Sequence, residues 1–252
     1  VSNKELQEQL RQLHLPGFGG AYAGQSQIAA QESWTYEQYL SSLCALELGQ
    51  REVRRKEKLL AASRLPREKT LANFERQRLK RPVERQFAAL LSGEFLTRAE
   101  NVLVFGNPGG GKTHLLCALG HELVQQGRSV SFTSCVLLVQ RLLQAKRELW
   151  LEKELKRLDK AAALIIDDLG YVQQSREEME VLFTLLAHRY ERGSILLTSN
   201  LVFSQWEQIF KDPMTTAAAI DRLVHHSVIL EMNLPSYRMA AAQQRKTTTP
   251  GD

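Results

Sequence analysis

The sequence predicts an α/β protein, a parallel five-stranded sheet preceded by a small helical segment. Two observations predict the sheet. From Asn101 onward, short apolar runs alternate with stretches of helical spacing, which is the pattern of repeated βα units. The runs are Val102–Phe105, Ser129–Thr133, Ala163–Ile166, Ile195–Thr198 and Val228–Glu231. Their nearly continuous apolar character fits strands covered on both faces. A third observation predicts the helical part. After Thr35, apolar residues recur every three or four positions.

Residues 3–14 read as a short helix ended by Leu15-Pro16-Gly17. Residues 17–33, rich in Gly, Ala and Gln, give no clear pattern. Thr35 with Gln38 resembles a capping box. The helix it opens is expected to bury Tyr36, Tyr39, Leu40, Leu43 and Leu46, to turn basic at "REVRRKEKLL", and to end at Pro66. "REKTLANFERQRLKRP" reads as a connector, and a helix over Val83–Leu91 leads into the first strand. These readings give a helical domain over 1–75, an α/β domain over 76–240 and a disordered tail over 241–252.

The net charge of +5 is unevenly placed. Residues 1–98 hold 16 Lys/Arg against 11 Asp/Glu, whereas residues 99–252 hold 17 of each. The excess concentrates in Arg51–Arg85, with 13 basic and 5 acidic residues. Such a run is either a solvated helical face with i,i+4 pairs or a footprint for nucleic acid. Three distant cysteines without a C-x-x-C indicate neither a zinc site nor a disulfide framework, and Cys117 reads as core. The absence of a signal peptide or a membrane-length apolar run reads as a cytoplasmic protein with no membrane partner.

"VLVFGNPGGGKTHLL" carries the pattern G-x-x-x-x-G-K-[ST] between a strand and a helix. That pattern binds a nucleoside triphosphate. The candidate phosphate-binding residues are Gly106, Asn107, Pro108, Gly109, Gly110, Gly111, Lys112, Thr113 and His114. Glycines let backbone N–H groups point at phosphate oxygens, and the helix starting near Lys112 adds its positive end. Lys112 is expected to reach the β- and γ-phosphates, and the Thr113 hydroxyl to bind Mg2+. "ALIIDDLG" ends a buried strand in two carboxylates, the Walker B pattern. Asp167 is expected to hold Mg2+ with Thr113, and Asp168 to polarise the attacking water. The spacing leaves room for a further strand between these two motifs. "ILLTSN" fills that place and ends in Asn200, whose amide can reach the γ-phosphate or the water.

"GNPGGGKTHL", "LIIDDLGY", "RYERGSILLTSNLVFSQW", "DRLVHHS" and "SYR", in this order, resemble the IstB family. These are AAA+ helper ATPases encoded beside transposases in insertion sequences, relatives of the helicase loader DnaC. The front half, with "SWTYEQYLSSLCALE" and "LPREKTLANFE", is similar as well. The resemblance implies an AAA+ core without a large lid domain, ATP and Mg2+ as ligands, and an ATP-hydrolysing helper that assembles on duplex DNA for a cognate transposase. It implies sensor I for Asn200, an arginine finger reaching a neighbouring subunit's nucleotide for Arg222, and a sensor II arginine for Arg238. An arginine finger acting between subunits implies a head-to-tail ring or spiral. Asp168 departs from the usual Glu of AAA+ proteins and is one methylene shorter. His225 and His226 read as structural, since neighbouring helix positions point apart.

The candidate DNA contacts are Arg54, Arg55, Lys56 and Lys58 in the basic run, with Lys146 and Arg147 in "LLQAKREL". A DnaC-like helicase loader is the alternative reading, with the first 98 residues gripping a protein instead. A small-molecule kinase would not need the series Asn200, Arg222 and Arg238. A GTPase lacks support because no N-K-x-D motif is present.

Overall fold

The computed structural model describes residues 2–170, 175–210 and 212–236. The chain divides into two compact units between Lys58 and Leu59.

The first unit is helical: α1 (Asn3–Gln12), α2 (Pro16–Gln31) and most of α3 (Tyr36–Ser63). The pattern-poor stretch is thus a helix. Pro16 starts it, and the Gly17 amide donates 2.6 Å to the buried carboxylate of Glu47 on α3. A side chain at Gly17 would meet that carboxylate at 2.7 Å. The capping box at the start of α3 is present: the Thr35 amide donates to Gln38 (2.8 Å) and the Gln38 amide to Thr35 (3.2 Å). The expected apolar face is only partly covered. Leu43 is buried, while Tyr36 is 92% exposed and Leu40 and Leu46 are exposed too. α2 lies along α3 through Tyr39–Tyr22, Ser42–Gln25 and Glu47–Gly17 contacts, which leaves the Tyr36–Leu40 flank in solvent. Helical periodicity marks such a face but not whether anything covers it.

The connector belongs to the second unit, so the compact division falls at 58/59 instead of 75. α3 stops at Ser63, before Pro66, where Arg64 takes a φ of 59°. Leu65 and Leu79 are then buried, and Leu59, Leu60, Leu71 and Phe74 pack on the same apolar cluster. α4 (Arg81–Leu90) closes that cluster through Val83, Phe87 and Leu90.

The sheet consists of β1 (Asn101–Phe105), β2 (Val130–Ser134), β3 (Ala163–Leu169), β4 (Ser194–Ser199) and β5 (Ser227–Glu231). All pairs are parallel, in the order β2-β3-β4-β1-β5. The strand ending in Asn200 therefore sits between the two nucleotide motifs, as expected. Alternate residues serve two cores. Val102, Val104, Ala163, Ile165 and Leu196 face α5 (Lys112–Gln125) and α4. Leu103, Phe105, Leu164, Ile166, Ile195 and Leu197 face α6 (Cys135–Arg147), α7 (Leu151–Leu158) and α8 (Arg176–Arg189). The short α9 (Glu207–Phe210) and α10 (Pro213–Val224) complete that second layer. The tail after Met239 lies outside the described residues.

One buried charge ties the second layer together. The Arg189 guanidinium, 1% exposed, donates to the carbonyls of Leu158, Ala161 and Ser194 at 2.9, 3.0 and 3.2 Å. Burial pushes its pKa down, opposed by the Asp159 carboxylate at 3.7 Å. Gly193 leaves room for it, since a Cβ there would lie 2.5 Å from the guanidinium. Arg189→Leu takes a charged donor from three buried carbonyls, of which Leu158 O keeps the Ala161 amide at 3.1 Å, and is expected to cost about 2 kcal/mol or more. A urea midpoint within experimental error of wild type would show that the carbonyls find other partners.

Candidate nucleotide-binding site

The site grows from the end of β1. Residues 106–111 turn tightly before α5 begins at Lys112. Gly106 has a φ of 146°, and a Cβ there would lie 2.1 Å from the Met232 carbonyl oxygen. Gly109, at φ 78°, likewise abuts Ser236. The loop is therefore clamped from behind by the segment after β5, and the Met232 amide donates to Phe105 O at 2.7 Å. The Lys112 ammonium donates to Gly106 O (2.8 Å) and Asn107 O (3.0 Å), which holds it under the loop. On α5, burial pushes the Cys117 thiol up to about 12, so it is inert core.

The two carboxylates of β3 are handled differently. Asp167 is buried, and its Oδ1 accepts from Thr113 Oγ1 (2.8 Å) and Thr198 Oγ1 (2.7 Å). Asp168 is exposed, with a φ of 61°. Left-handed backbone is tolerated by Asp and Asn far better than by longer side chains.

A cavity of about 290 Å³ opens at this place. It is lined by Pro108 to His114, Asp168 and Asn200 on one side, and by Lys69, Asn73, Phe74, Glu75, Arg78 and Leu234 on the other. The structure so brings together Walker A, Asp168 and Asn200, with Asp167 held directly behind Thr113. The second wall was missed by sequence reasoning. Its signal was the aromatic Phe74 inside a largely polar connector. His114 anchors that wall: its Nε2 lies 3.0 Å from Thr70 O, and its ring meets Phe74 edge-on at 5.2 Å. Arg78 donates to Pro235 O at 3.0 Å and so joins connector to C-terminal segment.

Other candidates lie elsewhere. Arg222, on α10, is not among the cavity's lining residues. Its guanidinium sits 4.9 Å over the Phe183 ring and donates to Ala218 O. Arg238 lies outside the described residues. Lys146 and Arg147 pair with Glu180 (2.9 Å) and Glu177 (3.2 Å) on α8. In the first unit Arg54, Arg55 and Lys58 are exposed on α3, and Lys56 pairs with Glu52 at 2.9 Å. His225 and His226 do not point apart. α10 ends at Val224 with His225 as its cap, and there the two rings meet at 4.2 Å. Tyr190 Oη lies 3.0 Å from His225 Nδ1.

Residues 8–246 match the family of IstB-like ATP-binding proteins. The chain belongs to that family. Relatives named as insertion sequence ATP-binding proteins include one from Sinorhizobium fredii, 41% identical over 98% of this chain and 83% of its own length. The IS21 protein of Pseudomonas aeruginosa is 39% identical over 88% of this chain and 85% of its own length. Among solved structures, AMPPCP-bound DnaA from Aquifex aeolicus superposes with a TM-score of 0.57 at 18% identity, covering 75% of this chain and 58% of that one. DnaI gives 0.55 at 20% identity, covering 68% and 96%. The IstB-like chain thus has the AAA+ P-loop fold, and its nucleotide is ATP. Among the described residues no helix is long and apolar enough to cross a membrane.

Proposed function

We propose that the chain is an ATP-hydrolysing helper for the transposase of its insertion sequence, assembling on duplex DNA through ATP-bound interfaces. The observation that carries this reading is the convergence of Lys112, Thr113, Asp168 and Asn200 on one cavity, with Asp167 bonded behind Thr113, in a chain whose relatives are insertion sequence ATP-binding proteins.

The residues present fit ATP and Mg2+. Gly106 and Gly109 have left-handed backbone and a loop with no space for side chains, and Lys112 stands beneath it with three donors. Thr113 and Asp167 present oxygens 2.8 Å apart, the donor type Mg2+ takes. Bound there, Mg2+ would neutralise phosphate charge. Lys112 would turn from the loop carbonyls to the phosphates. Phe74 and Leu234 offer apolar surface to the base. Asn200 would orient water for attack on the γ-phosphorus. The water oxygen then bonds to that phosphorus, the bond to the β-bridging oxygen breaks, and the water proton passes to Asp168. Arg222, outside its own subunit's cavity lining, would serve the nucleotide of a neighbour. Arg238 would contact phosphate within its own subunit. Head-to-tail contacts of this kind give rings or spirals.

Arg54, Arg55, Lys56 and Lys58 are the proposed phosphate-backbone contacts, which position but carry little sequence information. Lys146 and Arg147 are the weaker candidates because they stand outside the basic run; like Lys56, each has an acidic partner. The test is duplex affinity against salt with ATP present, for wild type and a variant with these four residues changed to Gln. Wild type should bind less tightly as salt rises, and the variant should lose about one unit of log–log slope per contact removed. Equal slopes and affinities would remove this segment as the DNA contact. The fold shared with the DnaC helicase loader (TM-score 0.52, 18% identity) keeps a loader role as the second reading. Helicase capture with no duplex binding would favour it.

A further inference from the structure

The ends of β3 and β4 are out of step. Ile166 pairs with Leu197 and Leu169 with Ser199, so Asp167 and Asp168 together oppose the single residue Thr198. This is a β-bulge, a device that re-aims side chains beside functional sites. The hydroxyl of Thr198 fills it. Oγ1 donates to Asp167 Oδ1 at 2.7 Å and accepts from the Asp168 amide at 2.8 Å. Thr198 is fully buried, so water cannot stand in for it. The next residue secures the same corner: Ser199 Oγ donates to Leu169 O and accepts from the Leu201 amide at 3.1 Å.

We propose that Thr198 is the positioning residue for both Walker B carboxylates, holding the Mg2+-side carboxylate by its proton and the water-side residue by its lone pair. The proposal rests on the ATP-hydrolysis reading above. A hydroxyl is the smallest group that donates and accepts at once, and both functions are used here. Asp167 takes two hydroxyls on one oxygen, but they are not equivalent. Thr113 stands in the first turn of α5, lines the cavity and is the proposed Mg2+ ligand, whereas Thr198 is enclosed by protein. Thr198 is therefore the hold on Asp167 that does not depend on what occupies the cavity. Its bond to the Asp168 amide fixes the left-handed turn at φ 61°. Without it, the exposed carboxylate would sample other directions, and small misplacements of a reacting group are costly.

The experiment compares wild type, Thr198→Val and Thr198→Ser. Valine keeps the shape and removes the hydroxyl, and serine restores it. Three quantities are read: exchange of the Asp168 amide without nucleotide, the gain in fluorescent-ATP affinity on adding Mg2+, and kcat. In Thr198→Val the amide should exchange faster, the Mg2+-dependent gain should shrink, and kcat should fall about tenfold or more. Affinity for ATP without Mg2+ should stay within twofold of wild type. Thr198→Ser should recover most of all three losses. A folded Thr198→Val with wild-type kcat and Mg2+ gain overturns the proposal. So does a folded Thr198→Ser no better than valine. If wild type itself hydrolyses no ATP, the hydrolysis reading fails, and amide exchange with Mg2+ gain still decides Thr198. If Thr198→Val does not fold, the wild-type amide decides: exchange as fast as an exposed amide overturns the proposal.

Discussion

Lys112→Ala is expected to abolish nucleotide binding and ATP-dependent assembly together. The ammonium would supply charge-assisted bonds to phosphate, each worth about 1.5–3 kcal/mol, so two lost bonds weaken binding by about a hundredfold or more. The structure adds a second consequence. Lys112 is 6% exposed and its Nζ bonds the carbonyls of Gly106 and Asn107. Alanine therefore also unpins the loop, and the nucleotide-free protein should lose about 1 kcal/mol of stability. Titration with fluorescent ATP, beside a thermal melt, separates the two effects. Wild-type ATP affinity in a folded Lys112→Ala protein would show that the loop does not hold phosphate.

Asp168→Asn should leave ATP binding and ATP-dependent oligomers intact while kcat falls by about 10²–10⁴, because an amide cannot take the water proton. The substitution is clean, since Asn accepts the left-handed backbone at this position as readily as Asp. Asp168→Glu is not its mirror. Glu would regain the missing methylene but favours this φ less, at a cost of order 1 kcal/mol. No gain in turnover is therefore expected from it. The short acid, which departs from the usual AAA+ pattern, suits the backbone that the bulge imposes. Single-turnover hydrolysis with pre-bound ATP is the measurement. An Asp168→Asn protein that matches wild type would remove this residue from the chemistry.

The parts legible in sequence share a cause. The inner strands β1, β3 and β4 are buried nearly throughout and so read as apolar runs, while the half-buried edge strands β2 and β5 show shorter ones. The room for a full strand–helix unit between Lys112 and Asp167 predicted the insertion of β4. The parts that stayed hidden depend on contacts between distant segments. Phe74 looks like one of a few apolar residues in a largely polar connector until Gly111 and His114 meet it. Arg189 reads as a surface cation beside "YERG", yet its partners lie about the β3 entry, 28 and 31 residues earlier. The bulge at Asp167 and Asp168 has no sequence mark at all, because it is a mismatch between two strands. Tyr36 and Leu40 fail in the opposite sense, as periodic apolar positions with no cover in their own unit.

The clamp on the phosphate loop bears on how the chain comes into being. Gly106 rests on Met232, which follows β5, and β5 pairs with β1 alone. During synthesis the whole Walker motif emerges long before that support exists. A nascent chain stopped short of Ser227 would carry the whole phosphate loop and still lack the floor beneath it. A chain cut before Ser227 is therefore expected to bind ATP more weakly than the whole second unit, and ATP to stabilise that unit against unfolding.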